Sequence, residues 1–322
     1  MNPLKLIGGA LVLAALLAGA PAQAQTWPTK SIQMIVPQGA GGSTDALARL
    51  VAQALGERIG QTVVVDNRAG AGGVLGVAAA AKAAPDGYTI LLGSSTTMAA
   101  NVFLYANFPV DPLKDFAPLA LAADAPFAFV VPAASPLKSM RDLLAVAKAS
   151  PGRLNYGSGT SSALLCTELL KHAAGINLTR VPYKASAQAL TDLIGGQLDI
   201  VCEPLSASLP NIKAGRLRAL AQTGAQRSAL ASDLKTVAQA GVSGVVYSAW
   251  IGLFVLAGTP PDIVARLHGE LQTILKDPTI HEKIRTIGFE PRPGDADALA
   301  ALQRTELKTV AATAKAAGIK AE

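Results

Sequence analysis

Apolar and polar residues follow two alternating periods along this chain. Residues 31–36 (SIQMIV), 62–66 (TVVVD) and 88–92 (YTILL) are short aliphatic runs bounded by Gly, Pro or polar residues, and each predicts a strand. Between them, Ala46, Leu47, Leu50, Val51, Ala54 and Leu55 recur at helical spacing within residues 44–59. A second helical stretch, 74–84, stops before Pro85. This order of strand, helix, strand, helix, strand predicts a parallel sheet with helices on its faces.

A second series follows. Strands are predicted at 127–131, in a short run ending at Asn155, and at 179–181, 200–202 and 217–222. Ser139-x-x-Asp142 is a capping box opening a helix to about residue 149. Ser161 or Ser162 caps a helix to Ala174, and Ser186 caps one closed by Gly195-Gly196. Residues 205–214 form a further helix. After a looser stretch come an apolar run at 248–255, a helix at 261–276 with Pro in its first turn, and a closing helix at 295–316. The tail holds too few strands for a domain of its own and is expected to pack back on the first series. The chain thus reads as an α/β protein of two lobes, residues 25–122 plus 250–322 and residues 123–249. Two crossings, near 119–126 and 248–255, would join them as hinges, with a binding cleft between.

The N-terminus changes the picture. Lys5 is followed by an apolar run over residues 6–20, and Ala22-Gln23-Ala24 has the small-x-small pattern of a cleavage site. Residues 1–24 therefore read as a secretory signal peptide, cut before Gln25. The run is shorter than the roughly 20 residues that span a bilayer. Removing 24 of the 322 residues leaves 298 with a net charge of +5, since only Lys5 is lost from +6. Export places the product in the periplasm, with no Cys at the cut for a lipid anchor. The mild positive surplus has no basic cluster interleaved with aromatics, so nucleic acid is a poor partner. Cys166 and Cys202 are the two cysteines. Export permits a disulfide between them, and two buried free thiols are the alternative.

Candidate chemistry lies in loops that follow predicted strands. Gln38, Gly39, Ala40, Gly41, Gly42, Ser43, Thr44 and Asp45 run from a strand end into a helix N-terminus. Glycines there let N–H groups converge, and the free amides and dipole of the first turn favour an anion. The bland alternative is an ordinary glycine turn with a polar cap. The pattern recurs in Gly70-Ala71-Gly72-Gly73, in Gly93-Ser94-Ser95-Thr96-Thr97 and in Gly157-Ser158-Gly159-Thr160-Ser161-Ser162. All four lie where open α/β sheets bind ligands. Rich in hydroxyls and poor in fixed charge, they suit a carboxylate held by neutral hydrogen bonds, directly or through water.

Other chemistries lack their motifs. The dinucleotide spacing is missed, no Walker loop exists, and no Gly-x-Ser-x-Gly elbow occurs. His172, His268 and His281 sit in or beside predicted helices as surface residues, and no cluster has metal-ligand spacing. No cofactor and no metal is expected, nor an enzyme. An exported hydrolase using the same cleft, and a sensory module docking on a membrane receptor, are the competing classes.

The segments VPQGAGGSTDALARLVAQAL, DNRAGAGGVLGV, APDGYTILLGSSTTMAAN, LNYGSGTSS, VPYKASAQALTDLIGGQLDI and GLFVLAGTPPDIVARL together resemble the tripartite tricarboxylate transporter solute-binding proteins, the Bug family. The resemblance runs from about Trp27 to the last helix. It implies a two-lobed periplasmic binding fold of the Venus-flytrap type II kind, a monomer, capture of a small organic anion, and delivery to membrane permease subunits. It implies that the loops 38–45 and 157–161 clasp a ligand carboxylate. It also implies that Ser94, Ser95, Thr96, Tyr183, Lys184 and the Glu203-Pro204 segment line the rest of the cleft. The chain departs from the family pattern at Gln38, usually aromatic, at Glu203-Pro204, commonly Asp-Asn, and at Met98 and Ala163-Leu164, where polar residues are usual. Those changes would widen or dry the cleft and raise the expectation of an aromatic or longer dicarboxylate.

Overall fold

The computed structural model describes residues 27–322 except 184, 317, 320 and 322. The signal peptide expected at 1–24 and the expected site residue Lys184 lie outside the described residues.

The first strand, β1 (Ile32–Val36), is apolar except for Gln33 because both its faces are covered. It pairs in parallel with β2 (Val63–Asn67) on one side and β3 (Thr89–Ser94) on the other. Helix α1 (Ser43–Ile59) crosses between β1 and β2, burying Leu47, Val51 and Leu55 at four-residue intervals. It ends at Gly60, whose left-handed backbone returns its N–H to the Gly56 carbonyl. The shorter α2 (Val74–Ala81) joins β2 to β3.

β4 (Phe116–Pro132) departs from the expected pattern. The sequence reading placed a strand only at 127–131, with the residues before it as a crossing segment. They are instead one strand of 17 residues. Its first part pairs antiparallel with β9 (Ser248–Leu256), its second with β7 (Ile200–Pro204) and β8 (Leu217–Gln222). Register shifts near Pro118–Ala120 and Leu121–Ala123 bend it, as bulges do. The two crossings are thus hydrogen-bonded to each other, with Asp124 opposite Trp250 and Pro126 opposite Ser248.

The second half continues with α4 (Met140–Ala149), β5 (Asn155–Ser158), α5 (Ser161–Ala174), β6 (Thr179–Pro182) and α6 (Ser186–Ile194). After β7 comes α7 (Leu205–Lys213). β5 pairs in parallel with β6 and β7. Asn155 opens β5 rather than closing a strand. The expected caps also shift by a residue or more. Thr160, not Ser161 or Ser162, caps α5 by accepting the Ala163 N–H at 3.1 Å, and α6 starts at Ser186 without a side-chain cap. Ser139 does cap α4, accepting the Asp142 N–H at 3.2 Å.

In the tail, α8 (Pro261–Leu275) and α9 (Pro278–Ile287) pack on α1, as expected of a tail returning to the first series. A strand absent from the sequence reading, β10 (Glu290–Gly294), adds to the edge of β4. Arg292 of β10 holds Asp124 with bonds of 3.0 and 2.9 Å, and Glu290 accepts the Ser228 hydroxyl of the second half. The last helix, α10 (Ala296–Ala316), covers β4 and also touches α5. Cys166 and Cys202 form a disulfide that ties α5 to β7.

Candidate functional site

The loop after β1 is held from beneath. Asp45, in the first turn of α1, is buried, and its Oδ2 accepts both the Gly41 N–H and Arg49 Nε at 3.0 Å. Arg49 also reaches Asn67 Oδ1 at 3.3 Å, and Asn67 Nδ2 donates to the Gln38 carbonyl at 3.2 Å. Arg49, followed by the Gly41 amide, keeps the Asp45 carboxyl below the ordinary carboxylate range. Gly41 has φ +83°, which a glycine adopts without strain. Gln38, Gly39, Ala40 and Gly41 stand exposed above this support, with Ser43 and Thr44 half-buried at the helix start.

The loop after β5 meets α6. A Cβ on Gly159 would lie 2.5 Å from Ala185 C and Ser186 N, so this turn passes against the start of α6 as only glycine allows. Ser158 Oγ accepts Arg180 Nε at 2.9 Å, and the Ser158 carbonyl accepts the Tyr183 N–H at 3.0 Å. Tyr183 itself turns its hydroxyl onto Asp192 Oδ2 at 2.7 Å. Burial, then the Asp192 carboxylate, raises the Tyr183 pKa. Its hydroxyl is therefore engaged within the second half.

The segment after β3 links the two halves. Ser94 is locked by Thr97: the Ser94 N–H donates to Thr97 Oγ1 at 3.0 Å. Residues 96–100 then form a π-helical turn running into the short α3 (Asn101–Leu104), where the sequence reading had only a loop. Such wide turns are frequent at functional sites. Thr96 Oγ1 lies 2.5 Å from Ser162 Oγ, and Ser161 Oγ donates to Asn101 Oδ1 at 3.0 Å. Asn101 Nδ2 in turn donates to the Gly72 carbonyl at 3.0 Å. Three of the four Gly/Ser loops thus meet at one place, at the carboxyl ends of their strands.

Asn101, Tyr247 and Glu306 at this junction were not singled out from sequence, unlike Ser95 and Ser162. Ser95 is fully buried, and beside it and Ser162 lies the hydroxyl of Tyr247, a residue just before β9. Burial drives the Tyr247 pKa far upward, and the Glu306 carboxylate of α10 adds to it. Glu306 is itself raised by burial to about 7. Asn101, Tyr247 and Glu306 carry no local motif. Only long-range pairing brings Tyr247 and Glu306 here.

Glu203 lies near the end of β7, fully buried. Met98 and Leu164, expected from sequence to widen or dry the cleft, are packed in apolar clusters, and Ala163 is fully buried. The three histidines stay away from the loops. His172 is exposed, as expected. His268 and His281 are half-buried rather than surface residues, each bonding a carbonyl at 2.7 Å (Leu119 and Leu275). Among the described residues no group of His, Cys, Asp or Glu could hold a metal, and no helix is long and apolar enough to cross a membrane. A groove of about 510 Å³ lies elsewhere, among residues that include Lys82, Pro85, Lys114 and Leu256.

Several known proteins are similar to this chain over nearly their whole length. Protein BugT of Bordetella pertussis is 36% identical over 304 residues, covering 94% of this chain and 93% of BugT. Rpa4515 of R. palustris, solved with adipate, is 37% identical with a TM-score of 0.85, over 92% of this chain and all of that one. MatC of Rhodopseudomonas palustris, solved with bound malate, is 28% identical with a TM-score of 0.79, over 89% and 99% of the two chains. The fold is the mixed α/β fold of periplasmic binding proteins. The model of the tripartite tricarboxylate transporter family receptor matches residues 47–319, beginning just past the first loop. The chain belongs to that family of transporter receptors.

Proposed function

We propose that this chain is an extracytoplasmic solute-binding protein that captures a small organic carboxylate between two lobes. The lobes are residues 25–122 plus 250–322 and residues 123–249. The observation that carries the reading is the meeting of strand-end loops from both halves through Thr96–Ser162 and Ser161–Asn101. Backbone amides of residues 39–43 and of 158–162 would hold one carboxylate of the ligand. Asp45, Asn67 and Arg49 preorganise the first of these loops. The adipate and malate found with Rpa4515 and MatC support an aliphatic acid of similar size.

The cargo is delivered to permease subunits of a tripartite tricarboxylate-type transporter, and the mature chain acts as a periplasmic monomer after cleavage before Gln25. The role is capture rather than catalysis: the described histidines lie away from the Ser-rich loops, which leaves those serines without a histidine base.

A thermal-shift screen tests this, using adipate, malate, citrate, terephthalate and aspartate, each beside its neutral amide. A ligand of the folded state raises the melting temperature by mass action. At least one acid should do so in a dose-dependent way while its amide does not. Shifts by neutral compounds alone would contradict the reading.

A further inference from the structure

Glu203 stands apart among the buried side chains. Both its carboxyl oxygens are buried with no hydrogen-bond partner. Along β7, Ile200 and Cys202 face the cluster with α5, while Val201 faces the cluster with α6. Strand alternation puts Glu203 with Val201, on the α6 side. There it lies beside Ser186, the first residue of α6. Ser186 is the residue against which the Gly159 turn is pressed. A bare carboxyl group thus sits beneath the loop of residues 157–161.

We propose that Glu203 takes up a proton when an organic anion settles on that loop, so that capture of the anion is proton-linked. This rests on the carboxylate-binding reading above. An incoming carboxylate adds a like charge near a group that, among the described residues, no cation or amide holds ionised, and like charges disfavour the ionised form. Lys184, before α6, lies outside the described residues, and the described charged side chains on the surrounding elements are engaged elsewhere or exposed. Asp192 of α6 accepts from Tyr183, and Arg180 of β6 donates to Ser158. Arg218 of β8 is bonded to the carbonyls of Ala133, Ser135 and Leu137. Lys213 is exposed in the last turn of α7. Burial, opposed only by Ser186, already brings Glu203 to about 7. Near neutrality the free protein therefore divides between its two protonation states. The bound anion shifts that division toward the neutral acid. The proton comes from the buffer, rests on a Glu203 oxygen and leaves with the ligand. Since the complex holds more protons than its free components, affinity falls as pH rises through neutrality and levels off in acid.

Calorimetric titration with adipate and with malate, in buffers of different ionisation enthalpy, measures the uptake. Neither probe titrates in the neutral range. The wild-type protein should take up a sizeable fraction of one proton per ligand at about pH 7.5, and much less at about pH 6. Its affinity should fall several-fold between them. Glu203→Gln should keep binding, lose the uptake and flatten the profile, whereas Glu282→Gln, at an exposed acid of α9, should retain both. Binding without uptake, or uptake that survives Glu203→Gln, overturns the proposal. If Glu203→Gln does not fold, carbon NMR of the wild-type Glu203 carboxyl decides: its pKa rises with adipate, or the proposal falls. If neither probe binds, the titration uses the acid that most raises the melting temperature; absence of binding by every acid of the screen overturns the parent reading, and this one with it.

Discussion

Asp45 places a negative charge beneath the proposed anion-binding loop, where Arg49 and the Gly41 amide hold its Oδ2 while Oδ1 is buried without a partner. Its work is mechanical: it fixes the glycine turn. Asp45→Asn keeps the size and removes the charge. Losing charge-assisted bonds of about 1.5–3 kcal/mol should loosen the loop and weaken ligand binding roughly tenfold or more, read by calorimetry. Glu203 acts in the opposite sense on stability. Its pKa is raised to about 7, so folding favours the protonated form. The stability it contributes is present below the unfolded value near 4.5 and is lost as pH rises through 7. Glu203→Gln removes that loss. The variant should gain roughly 3 kcal/mol over wild type at about pH 8 relative to about pH 4, read by denaturant unfolding at both pH values. Sequence shows that an acid stands at each of these positions. It does not show that a guanidinium and an amide hold one oxygen of Asp45 while both oxygens of Glu203 are buried without a partner, because Arg49 is a helical turn away but the surroundings of Glu203 are made by distant strands.

Among elements, β4 and the α5 N-terminus decide how the halves relate. The periodicity marks most strands and helices, because 3.6- and 2-residue repeats are local. The long β4 escapes it, since Pro118 and Pro126 break the pattern while pairing with β9 keeps the strand continuous. The π-helical turn at residues 96–100 escapes it for a similar reason, as Ser, Ser, Thr and Thr read as loop. The hydroxyl pair Thr96–Ser162 joins two elements that no local signal relates. In a double-mutant cycle of Thr96→Val and Ser162→Ala, the pair should couple by about 1 kcal/mol, with each single change lowering ligand affinity a few-fold. The disulfide anchors the same region, because α5 carries the Ser161 and Ser162 hydroxyls and β7 carries Glu203. Sequence left bridge and free thiols equally open; only the packing of α5 on β7 brings the sulfurs together. For a separation of 36 residues, a double Cys166→Ser, Cys202→Ser variant should lose roughly 3–4 kcal/mol on the chain-entropy account, seen as a lower melting temperature. Reducing the wild-type protein should reproduce that loss.

At the scale of the whole molecule, two half-sheets share β4 and face each other through their Gly/Ser loops. The glycine-rich loops and the order of strands made the candidate site legible in outline. The closing contributions from Tyr247 and from Glu306 of the last helix come from far along the chain and were not. The central claim is that an organic carboxylate is held between the two halves, on the amides of residues 38–43 and 158–162. A crystal structure of the mature protein with the acid that most raises its melting temperature tests this directly. The ligand carboxylate should lie within hydrogen-bond reach of amides from both loops. A carboxylate bound only in the groove beside Lys82 and Lys114, with both loops unoccupied, would contradict it.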